Sequence, residues 1–312
     1  MSNSVNMVQN QGGKKVWLDG RIVEYEEARV PILTHSMQYG SGIFEGIRSY
    51  EVKGGALIFR LKDHVERFFN TAKIYSMKLG YTPSELGKAI GDVVSENGAS
   101  TFYIRPFAFY NDDRIGVSTA GKRVSVFIAA VPFGSYFNKT KGITCKVSSW
   151  HRINSGILPI EAKASGNYIN SIIAGNEAKV SGFDEAIMLS SDGYVAEGSA
   201  ENIFIVKDKK LITPSKSADI LIGITRDTII RIALSMGYTV EERQVHREEL
   251  YTADEVFFSG TAAEVTPIIN IDGIRVGDGT IGTVTNRISN KYSDVVHGKD
   301  KKYSSWLTMI KK

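Results

Sequence analysis

Apolar residues recur at strand spacing in the first half of the chain, and each run is bounded by turn-forming residues. Strands are predicted there at residues 16–18, 21–23, 57–59, 101–110 and 124–131. Residues 63–72 and 84–94 instead place apolar residues every three or four positions, which is typical of amphipathic helices. The second of these helices is predicted to begin at Ser84 and to end before Asn97-Gly98.

The second half of the chain mixes short strands with helices. Strands are predicted at residues 185–189, 194–197, 203–206, 211–212 and 256–258. Helices are predicted to begin just after Asn167 and at Gly223. Strands followed by helices in one half, and mixed elements in the other, indicate an α+β fold and not a doubly wound sheet.

Two polar or irregular stretches set the predicted domain limits. Residues 1–14 are rich in Asn, Gln, Ser and Gly, which is typical of a disordered arm. Residues 132–140 interrupt the apolar pattern with Pro, Gly, Ser and Asn, as interdomain linkers do. We therefore expect a small N-terminal domain at 15–131, a linker at 132–140 and a large C-terminal domain at 141–312.

Composition excludes several classes of protein. A net charge of +4 over 312 residues, without a dense basic run, does not favour a nucleic-acid partner. No stretch has the length and apolarity of a membrane span, and residues 1–14 lack the apolar centre of a signal peptide. The five histidines show no metal-ligand spacing, and Cys145 alone cannot form an internal disulfide. We expect a cytoplasmic protein without a metal site, and Cys145 as a core residue.

The stretch from Ile160 to Tyr168 carries the candidate nucleophile, Lys163. Small residues surround this lysine, and Gly166-Asn167 predicts a turn into a helix whose apolar face would include Ile169, Ile172 and Ile173. A lysine at such a junction can lie in a cleft, where desolvation disfavours the ammonium and frees the amine to attack carbonyl groups. The alternative is a solvated surface lysine, which is the commoner case among 38 Lys and Arg residues.

Three further segments are candidates for binding anions. Arg67, in the first predicted helix, could hold an anion or pair with a surface carboxylate. Gly223 before Thr225 offers a helix N-terminus to a phosphate, although Thr225 could be a purely structural cap. The small residues 259–264 end a strand, and their N–H groups could bind a second anionic group.

Tyr103 and Arg105 share one face of the strand predicted at 101–110. An arginine beside a tyrosine suits recognition of a carboxylate, since the guanidinium can donate two parallel hydrogen bonds. A solvated edge strand would show the same pattern.

Seven ordered motifs resemble the branched-chain amino-acid aminotransferases, a family of fold-type IV pyridoxal-phosphate enzymes. They span residues 39 to 264 and comprise Tyr39-Gly40 with Phe44-Glu45-Gly46-Ile47-Arg48, His64-x-x-Arg67, Tyr103-Ile104-Arg105-Pro106, Ala162-Lys163-x-x-Gly166-Asn167-Tyr168, Glu197-Gly198-x-x-Glu201-Asn202, Gly223-Ile224-Thr225-Arg226 and Ser259-Gly260-Thr261-Ala262-Ala263-Glu264. The resemblance implies a smaller N-terminal α/β domain and a larger C-terminal pseudo-barrel domain.

The resemblance also implies how pyridoxal 5'-phosphate would be held. Lys163 would bond covalently to the cofactor and then move a proton between the substrate Cα and the cofactor. Glu197 would pair with the pyridine nitrogen, and Tyr168 would donate toward the ring hydroxyl. The phosphate would be bound by Arg67, Ile224, Thr225 and Thr261, which combine an arginine with a helix N-terminus.

The implied substrates are amino acids and 2-oxo acids, with the amino group moving between Leu, Ile or Val and 2-oxoglutarate by a ping-pong mechanism. Tyr103 and the Thr261-Ala262 backbone would bind the α-carboxylate, and Arg105 with Tyr39 would bind a second carboxylate. The remaining pocket would be formed by Phe44, Val117, Phe133 and Tyr136. Because Tyr39 and Val117 would come from a second copy of the chain, a homodimer would be the minimum assembly, with a hexamer as an alternative.

Other functions on the same fold stay open at this point. A D-amino-acid aminotransferase, an (R)-amine transaminase or an aminodeoxychorismate lyase would also keep Lys163 and Glu197. A non-catalytic scaffold is the second alternative, because a fold does not establish activity. Phe133 stands where many members of the family carry tryptophan, and Ser165 replaces a glycine. The resemblance therefore implies that Phe133 enlarges or reshapes the rim of the substrate pocket.

Overall fold

The computed structural model describes residues 14–134, 137 and 141–312. Its contacts divide the chain into two units. The first unit contains residues 14–134, 162–166 and 295–312, and the second contains the remaining described residues up to 294. Each unit has its own sheet and its own buried apolar cluster.

The first unit is built on an antiparallel sheet. Its strands, apart from one contributed by the C-terminus, are β1 (Lys15–Leu18), β2 (Arg21–Glu24), β3 (Ile43–Phe44), β4 (Ile47–Val52), β5 (Gly55–Phe59), β6 (Phe102–Tyr110) and β7 (Val124–Pro132). Strands β5, β4, β6, β7, β1 and β2 follow one another across the sheet, and β3 pairs with β6. β6 therefore lies inside the sheet, which excludes the edge-strand interpretation of Tyr103 and Arg105.

The helices of this unit are α1 (His35–Tyr39), α2 (Leu61–Ile74) and α3 (Pro83–Glu96). Phe68 of α2 and Ile90 of α3 are buried in the same core as Ile104 of β6. Both longer helices begin one or two residues earlier than the apolar pattern predicted.

The early starts have local causes. Arg60 precedes α2 in a left-handed conformation and donates hydrogen bonds to the carboxylate of Asp63 in the first turn. Thr82 caps α3 in a reciprocal capping box with Glu85.

The second unit has a mixed sheet. Its strands are β8 (Ile143–Val147), β9 (Glu185–Leu189), β10 (Val195–Gly198), β11 (Asn202–Lys207), β12 (Lys210–Pro214), β13 (Val240–Arg243), β14 (Glu255–Gly260), β15 (Glu264–Ile271) and β16 (Ile274–Arg275). The order is β10, β9, β8, β15, β14, β11, β12 and β13, with β16 beside β15. β8 runs parallel to β9 and β15, whereas β11 and β14 are antiparallel.

The helices of the second unit are α4 (Tyr168–Val180), α5 (Ile224–Ser235), α6 (Arg247–Thr252) and α7 (Thr283–Val296), the last of which leads back to the first unit. Cys145 is fully buried in β8, as expected of a core residue. Separate helical and antiparallel or mixed-sheet regions confirm the α+β class in two units. In the described part of the chain, none of the helices combines the length and apolarity needed to span a membrane.

The C-terminal strand β17 (Leu307–Lys311) lies in the first sheet, antiparallel to β5. Residues 295–312 therefore belong to the first unit and not to the C-terminal domain to which the sequence analysis assigned them. The physical reason is the free edge of β5, which β17 covers with backbone hydrogen bonds. Gly55 permits the close approach, because a Cβ at that position would collide with Ile310 O.

Helix α4 begins where the turn signal predicted it, and the isoleucines of its apolar run face outward. Ile169 and Ile172 are 58% and 54% exposed in the single chain. Small residues pack inward instead, with Ala174 and Ala178 fully buried. The isoleucine stripe is therefore an apolar surface of this unit.

The structural start of α3 generates a first testable prediction. Thr82→Ala removes the side-chain acceptor of the capping box and should lower the free energy of unfolding by about 1 kcal/mol, as measured by urea denaturation. Ser84→Ala is the matched control, because Ser84 is exposed inside the first turn and should change stability by less than about 0.5 kcal/mol. Equal losses for the two variants would contradict the assigned cap.

Candidate active site

The segment carrying Lys163 is tied to the first unit by backbone hydrogen bonds. Lys163 O accepts from Phe44 N at 3.0 Å, and Ser165 N donates to Gly42 O at 2.8 Å. Lys163 N donates to Thr71 Oγ1 of α2 at 3.2 Å. The lysine is thus held against β3 and α2, which is why it lies in the first unit although the sequence suggested the C-terminal domain.

The Lys163 amine is partly buried and lies 5.0 Å from the centre of the Phe44 ring. Burial, followed by the positive charge of Arg67, lowers the pKa of Lys163 to about 8, while the negative charge of Glu45 acts in the opposite direction. A substantial fraction of this amine is neutral in mildly alkaline solution. These properties favour the nucleophile over the solvated surface lysine.

Arg67 forms a buried ion pair that the sequence analysis did not predict. Its Nε donates to Glu45 Oε1 at 2.6 Å and its Nη2 donates to Glu45 Oε2 at 2.9 Å. His64 Nδ1 lies 2.8 Å from the same Oε2, and the Glu45 carboxylate is fully buried. Glu45 and His64 are part of the family motifs, but roles were predicted for Phe44 and Arg67 in those motifs and not for these two residues.

Burial alone would raise the pKa of Glu45, but the charge of Arg67 and the interaction with His64 hold it well below its usual range. Burial also lowers the pKa of His64, despite the opposing charge of Glu45. The cluster is therefore an ionised carboxylate between a cationic guanidinium and a neutral imidazole.

Tyr103 and Arg105 do share one face of β6. Arg105 Nη2 donates to Tyr103 OH at 3.3 Å, and its guanidinium carbon lies 4.5 Å from the centre of the Phe44 ring. Arg105 Nε is buried and has no hydrogen-bond partner among the described residues. Because buried donors are normally hydrogen-bonded, this one suits the binding of an anionic ligand. The Phe133 ring lies 5.2 Å from the Tyr103 ring, which places these two predicted substrate residues together.

Tyr39 and Val117 lie together on an exposed surface of the first unit. His35 connects them, since its Nε2 is 3.2 Å from Val117 O and its ring centre is 4.7 Å from that of Tyr39. Val117 is 77% exposed. Tyr136, which was predicted to line the pocket, lies outside the described residues.

In the second unit, Glu197 is buried at the end of β10 and held on both carboxylate oxygens. Oε1 accepts from Arg152 Nε at 2.7 Å. Oε2 accepts from Asn202 Nδ2 at 3.0 Å and from Leu221 N at 3.1 Å. No role for Arg152 follows from the sequence, because no motif or periodicity joins it to a residue 45 positions away.

Asn202 also connects Glu197 to the N-terminus of α5. Its Nδ2 donates to Leu221 O at 2.9 Å. Gly223 is the N-cap of α5, and a Cβ there would collide with Asn202 Oδ1. Ile224 and Thr225 thus occupy the first turn, and Thr225 is a buried first-turn residue and not the cap. This N-terminus carries the positive end of the helix dipole.

The remaining predicted residues of the second unit lie at element ends. Tyr168 is the first residue of α4. Thr261 and Ala262 lie, with Ala263, in the three-residue connection between β14 and β15, whose last pair joins Gly260 to Glu264. Beside them, Ser259 Oγ is buried and makes no hydrogen bond to any residue that the structure describes.

Each unit, taken by itself, carries groups that fit one part of pyridoxal phosphate. The first unit supplies the Lys163 amine for an aldehyde and a guanidinium at Arg67. The second supplies the Glu197 carboxylate for a pyridinium N–H and a helix N-terminus for a phosphate. Within the described ranges, no cluster of three or more His, Cys, Asp or Glu side chains could hold a metal ion.

Comparisons with known proteins identify the family of the chain. The amino-transferase class IV family matches residues 42–271. The branched-chain-amino-acid aminotransferase of Pseudomonas aeruginosa is 43% identical over 299 residues, 95% of this chain and 97% of the relative. The protein of that name from Escherichia coli K12 is 42% identical with the same coverage.

Two solved structures are similar over nearly the whole chain. The branched-chain aminotransferase from Thermoproteus uzoniensis with norvaline has a TM-score of 0.91 at 48% identity, covering 95% of this chain and 99% of its own. A branched-chain amino acid aminotransferase from the organism abbreviated T.th., complexed with N-(5'-phosphopyridoxyl)-L-glutamate, also has a TM-score of 0.91, at 43% identity and with 95% and 98% coverage.

The lowered pKa of Lys163 predicts a pH dependence that can be measured without any substrate. In the cofactor-free protein, modification of Lys163 by trinitrobenzenesulfonate should be half-maximal near pH 8, because the neutral amine is the reactive form. Lys15 is the internal control, since the hydrogen bond and charge of Glu96 raise its pKa above 10.5. Peptide mass spectrometry reads both lysines in one digest. Half-maximal modification of Lys163 above pH 10 would contradict the buried amine.

Proposed function

The chain belongs to the branched-chain amino-acid aminotransferases of the amino-transferase class IV family, and from that premise we propose a specific reaction. It moves the amino group between L-leucine, L-isoleucine or L-valine and 2-oxoglutarate, with pyridoxal 5'-phosphate, by a ping-pong mechanism. The observation that carries the proposal is the partly buried Lys163 amine beside Phe44, in the same unit as Tyr103 and Arg105.

The residues proposed to hold the cofactor each complement one part of it. Glu197, kept in place by Arg152 and Asn202, accepts from the protonated pyridine nitrogen. Tyr168 donates toward the ring hydroxyl. The phosphate would be bound by Arg67, Ile224, Thr225 and Thr261. When bound, pyridoxal phosphate supplies an electron sink for the carbanion formed at the substrate Cα.

Lys163 is proposed to hold the cofactor covalently and then to move the proton. Once the amino group of the substrate had displaced it from the cofactor, the freed Nζ would take a proton from the substrate Cα and return it on the cofactor side. This role requires an amine that can change protonation state near working pH. A pKa of about 8 meets this requirement, whereas an ordinary lysine would remain protonated. The Phe44 ring beside Nζ keeps water away from part of the amine.

The proposed substrate site must accept both an apolar and an acidic side chain. Phe44, Val117, Phe133 and Tyr136 supply apolar surface, and Arg105 with Tyr39 receives the second carboxylate of glutamate or 2-oxoglutarate. Tyr103 and the Thr261-Ala262 backbone bind the α-carboxylate. The relative complexed with phosphopyridoxyl-L-glutamate and the relative with norvaline support such dual recognition in this family.

A homodimer is the proposed minimum assembly, and a hexamer of the same chain remains the alternative. Around Tyr39 and Val117 the first unit exposes other large apolar side chains, namely Ile32 at 80%, Met37 at 70% and Ile115 at 75%. A group of this kind is typical of a surface that another subunit covers. We therefore propose that this surface contacts a second copy of the chain, and that Tyr39 and Val117 complete the substrate site of that copy.

The absorption spectrum of the protein loaded with pyridoxal phosphate tests the reaction directly. L-leucine alone should convert the spectrum of the pyridoxal form into that of the pyridoxamine form, and 2-oxoglutarate should then restore it. D-alanine in a parallel sample should produce no change. Conversion by D-alanine only would replace the L-branched-chain substrate with a D-amino acid, and a protein that takes up no cofactor would contradict the proposal.

Arg105→Ala separates the two kinds of substrate. Loss of charge-assisted hydrogen bonds should raise the KM for 2-oxoglutarate and glutamate by about 10- to 100-fold, with a smaller effect on leucine. Steady-state kinetics with each substrate measures the split. Arg231→Ala is the control, because Arg231 is an exposed arginine paired with Asp227 on α5. Equal losses for leucine and 2-oxoglutarate would show that Arg105 does not bind the second carboxylate.

A further inference from the structure

We propose that Glu45 is a positioning residue of the cofactor site: its carboxylate orients the guanidinium of Arg67 toward the phosphate and offsets the positive charge around Lys163. Glu45 itself would contact neither substrate nor cofactor and would act through these two side chains. The inference rests on the proposed function, in which Arg67 binds the phosphate and Lys163 bonds to the cofactor.

The geometry of the Glu45 carboxylate is that of an orienting clamp. Both oxygens accept from one edge of Arg67, Oε1 from Nε at 2.6 Å and Oε2 from Nη2 at 2.9 Å. Two parallel hydrogen bonds fix the plane of a guanidinium and not merely its distance. Fixing that plane also fixes the direction in which the other donors of Arg67 point.

The carboxylate is in turn fixed from its own backbone and from α2. Glu45 N donates to Pro106 O at 2.9 Å, and the preceding Phe44 N donates to Lys163 O at 3.0 Å. His64, one turn before Arg67 on the same helix, places Nδ1 2.8 Å from Oε2. The side chain therefore has little freedom to follow Arg67 if Arg67 moves.

The second role follows from the charges that face Lys163. The ionisable groups acting on its amine are Arg67, Arg105, Tyr103, Glu45 and the neutral His64. Arg67 and Arg105 disfavour the ammonium, whereas Glu45 favours it. Removing the negative charge should therefore lower the pKa of Lys163 further below about 8.

A purely structural ion pair would predict something different. A buried carboxylate that serves only to neutralise Arg67 would affect stability when it is removed. It would not selectively change the affinity for the phosphate group, nor the protonation of the neighbouring Lys163. These two quantities are therefore the diagnostic ones.

The first measurement isolates the phosphate contact in cofactor-free protein. Binding of pyridoxal phosphate and of pyridoxal, which lacks the phosphate, is measured by isothermal titration calorimetry. The quantity compared is the affinity ratio, that is, the affinity for pyridoxal phosphate divided by the affinity for pyridoxal. Glu45→Gln should lower this ratio about 10-fold or more, because the Arg67 guanidinium loses its orientation toward the phosphate. Glu66→Gln is the matched control, because Glu66 is an exposed acid beside Arg67 on α2. This substitution should leave the affinity ratio unchanged.

The second measurement is the pH dependence of Lys163 modification in the same variants, without cofactor. Glu45→Gln should move the half-maximal pH down by about one unit. Glu45→Asp keeps the charge but shortens the side chain, so it should leave the half-maximal pH near 8 and still lower the affinity ratio. This variant separates the charge of Glu45 from its position.

The outcomes are distinguishable. An unchanged or increased affinity ratio, or an unchanged Lys163 titration in Glu45→Gln, overturns the proposal. If circular dichroism shows that Glu45→Gln is unfolded, Glu45→Asp decides, because an unchanged ratio in that variant also overturns it. Failure of the proposed function is seen separately, as wild-type protein that binds pyridoxal phosphate no better than pyridoxal.

Discussion

The hydrogen bonds that dock residues 162–166 onto the first unit are the constraint on which the candidate site depends. Through Phe44 N and Thr71 Oγ1, they hold the Lys163 backbone against β3 and α2. Its side chain is thereby partly desolvated beside Phe44 and near Arg67, and the pKa falls to about 8. Without this docking, Lys163 would be one more solvated lysine. The chemistry proposed for the chain thus begins with a backbone contact.

Local patterns predicted most of the elements, because they depend on near neighbours in the chain. β6 and α3 followed from alternation and from three-to-four spacing, and their ends differed by only a residue or two. The contribution of β17 could not be predicted, since its pairing with β5 joins residues about 250 positions apart. Nor does periodicity say what covers an apolar stripe, so the exposure of the α4 isoleucines could not be predicted.

The residues of the candidate site show the same difference between features set by local sequence and features set by contacts between distant residues. Lys163, Tyr103 and Arg105 could be proposed from residue type and spacing, and the resemblance added the remaining contacts. Arg152 could not, because it meets Glu197 only through the fold. Glu45 carried a signal that was overlooked, an acid within an otherwise apolar and glycine-containing run. A buried acid needs a partner, but the sequence does not say which of many cations it meets.

Each unit contains a buried carboxylate that is paired with an arginine. A carboxylate buried away from water would take up a proton unless a cation holds it ionised. Glu45 is paired with Arg67, and Glu197 with Arg152. Arginine suits this task because it remains charged at any working pH, and its fork orients the acid as well as ionising it. Burial and the nearby charges of Arg67 and Arg105 lower the pKa of Lys163 and so favour its neutral amine. Glu45 thus stays ionised while Lys163 remains able to change its protonation state, which is the asymmetry that proton transfer requires.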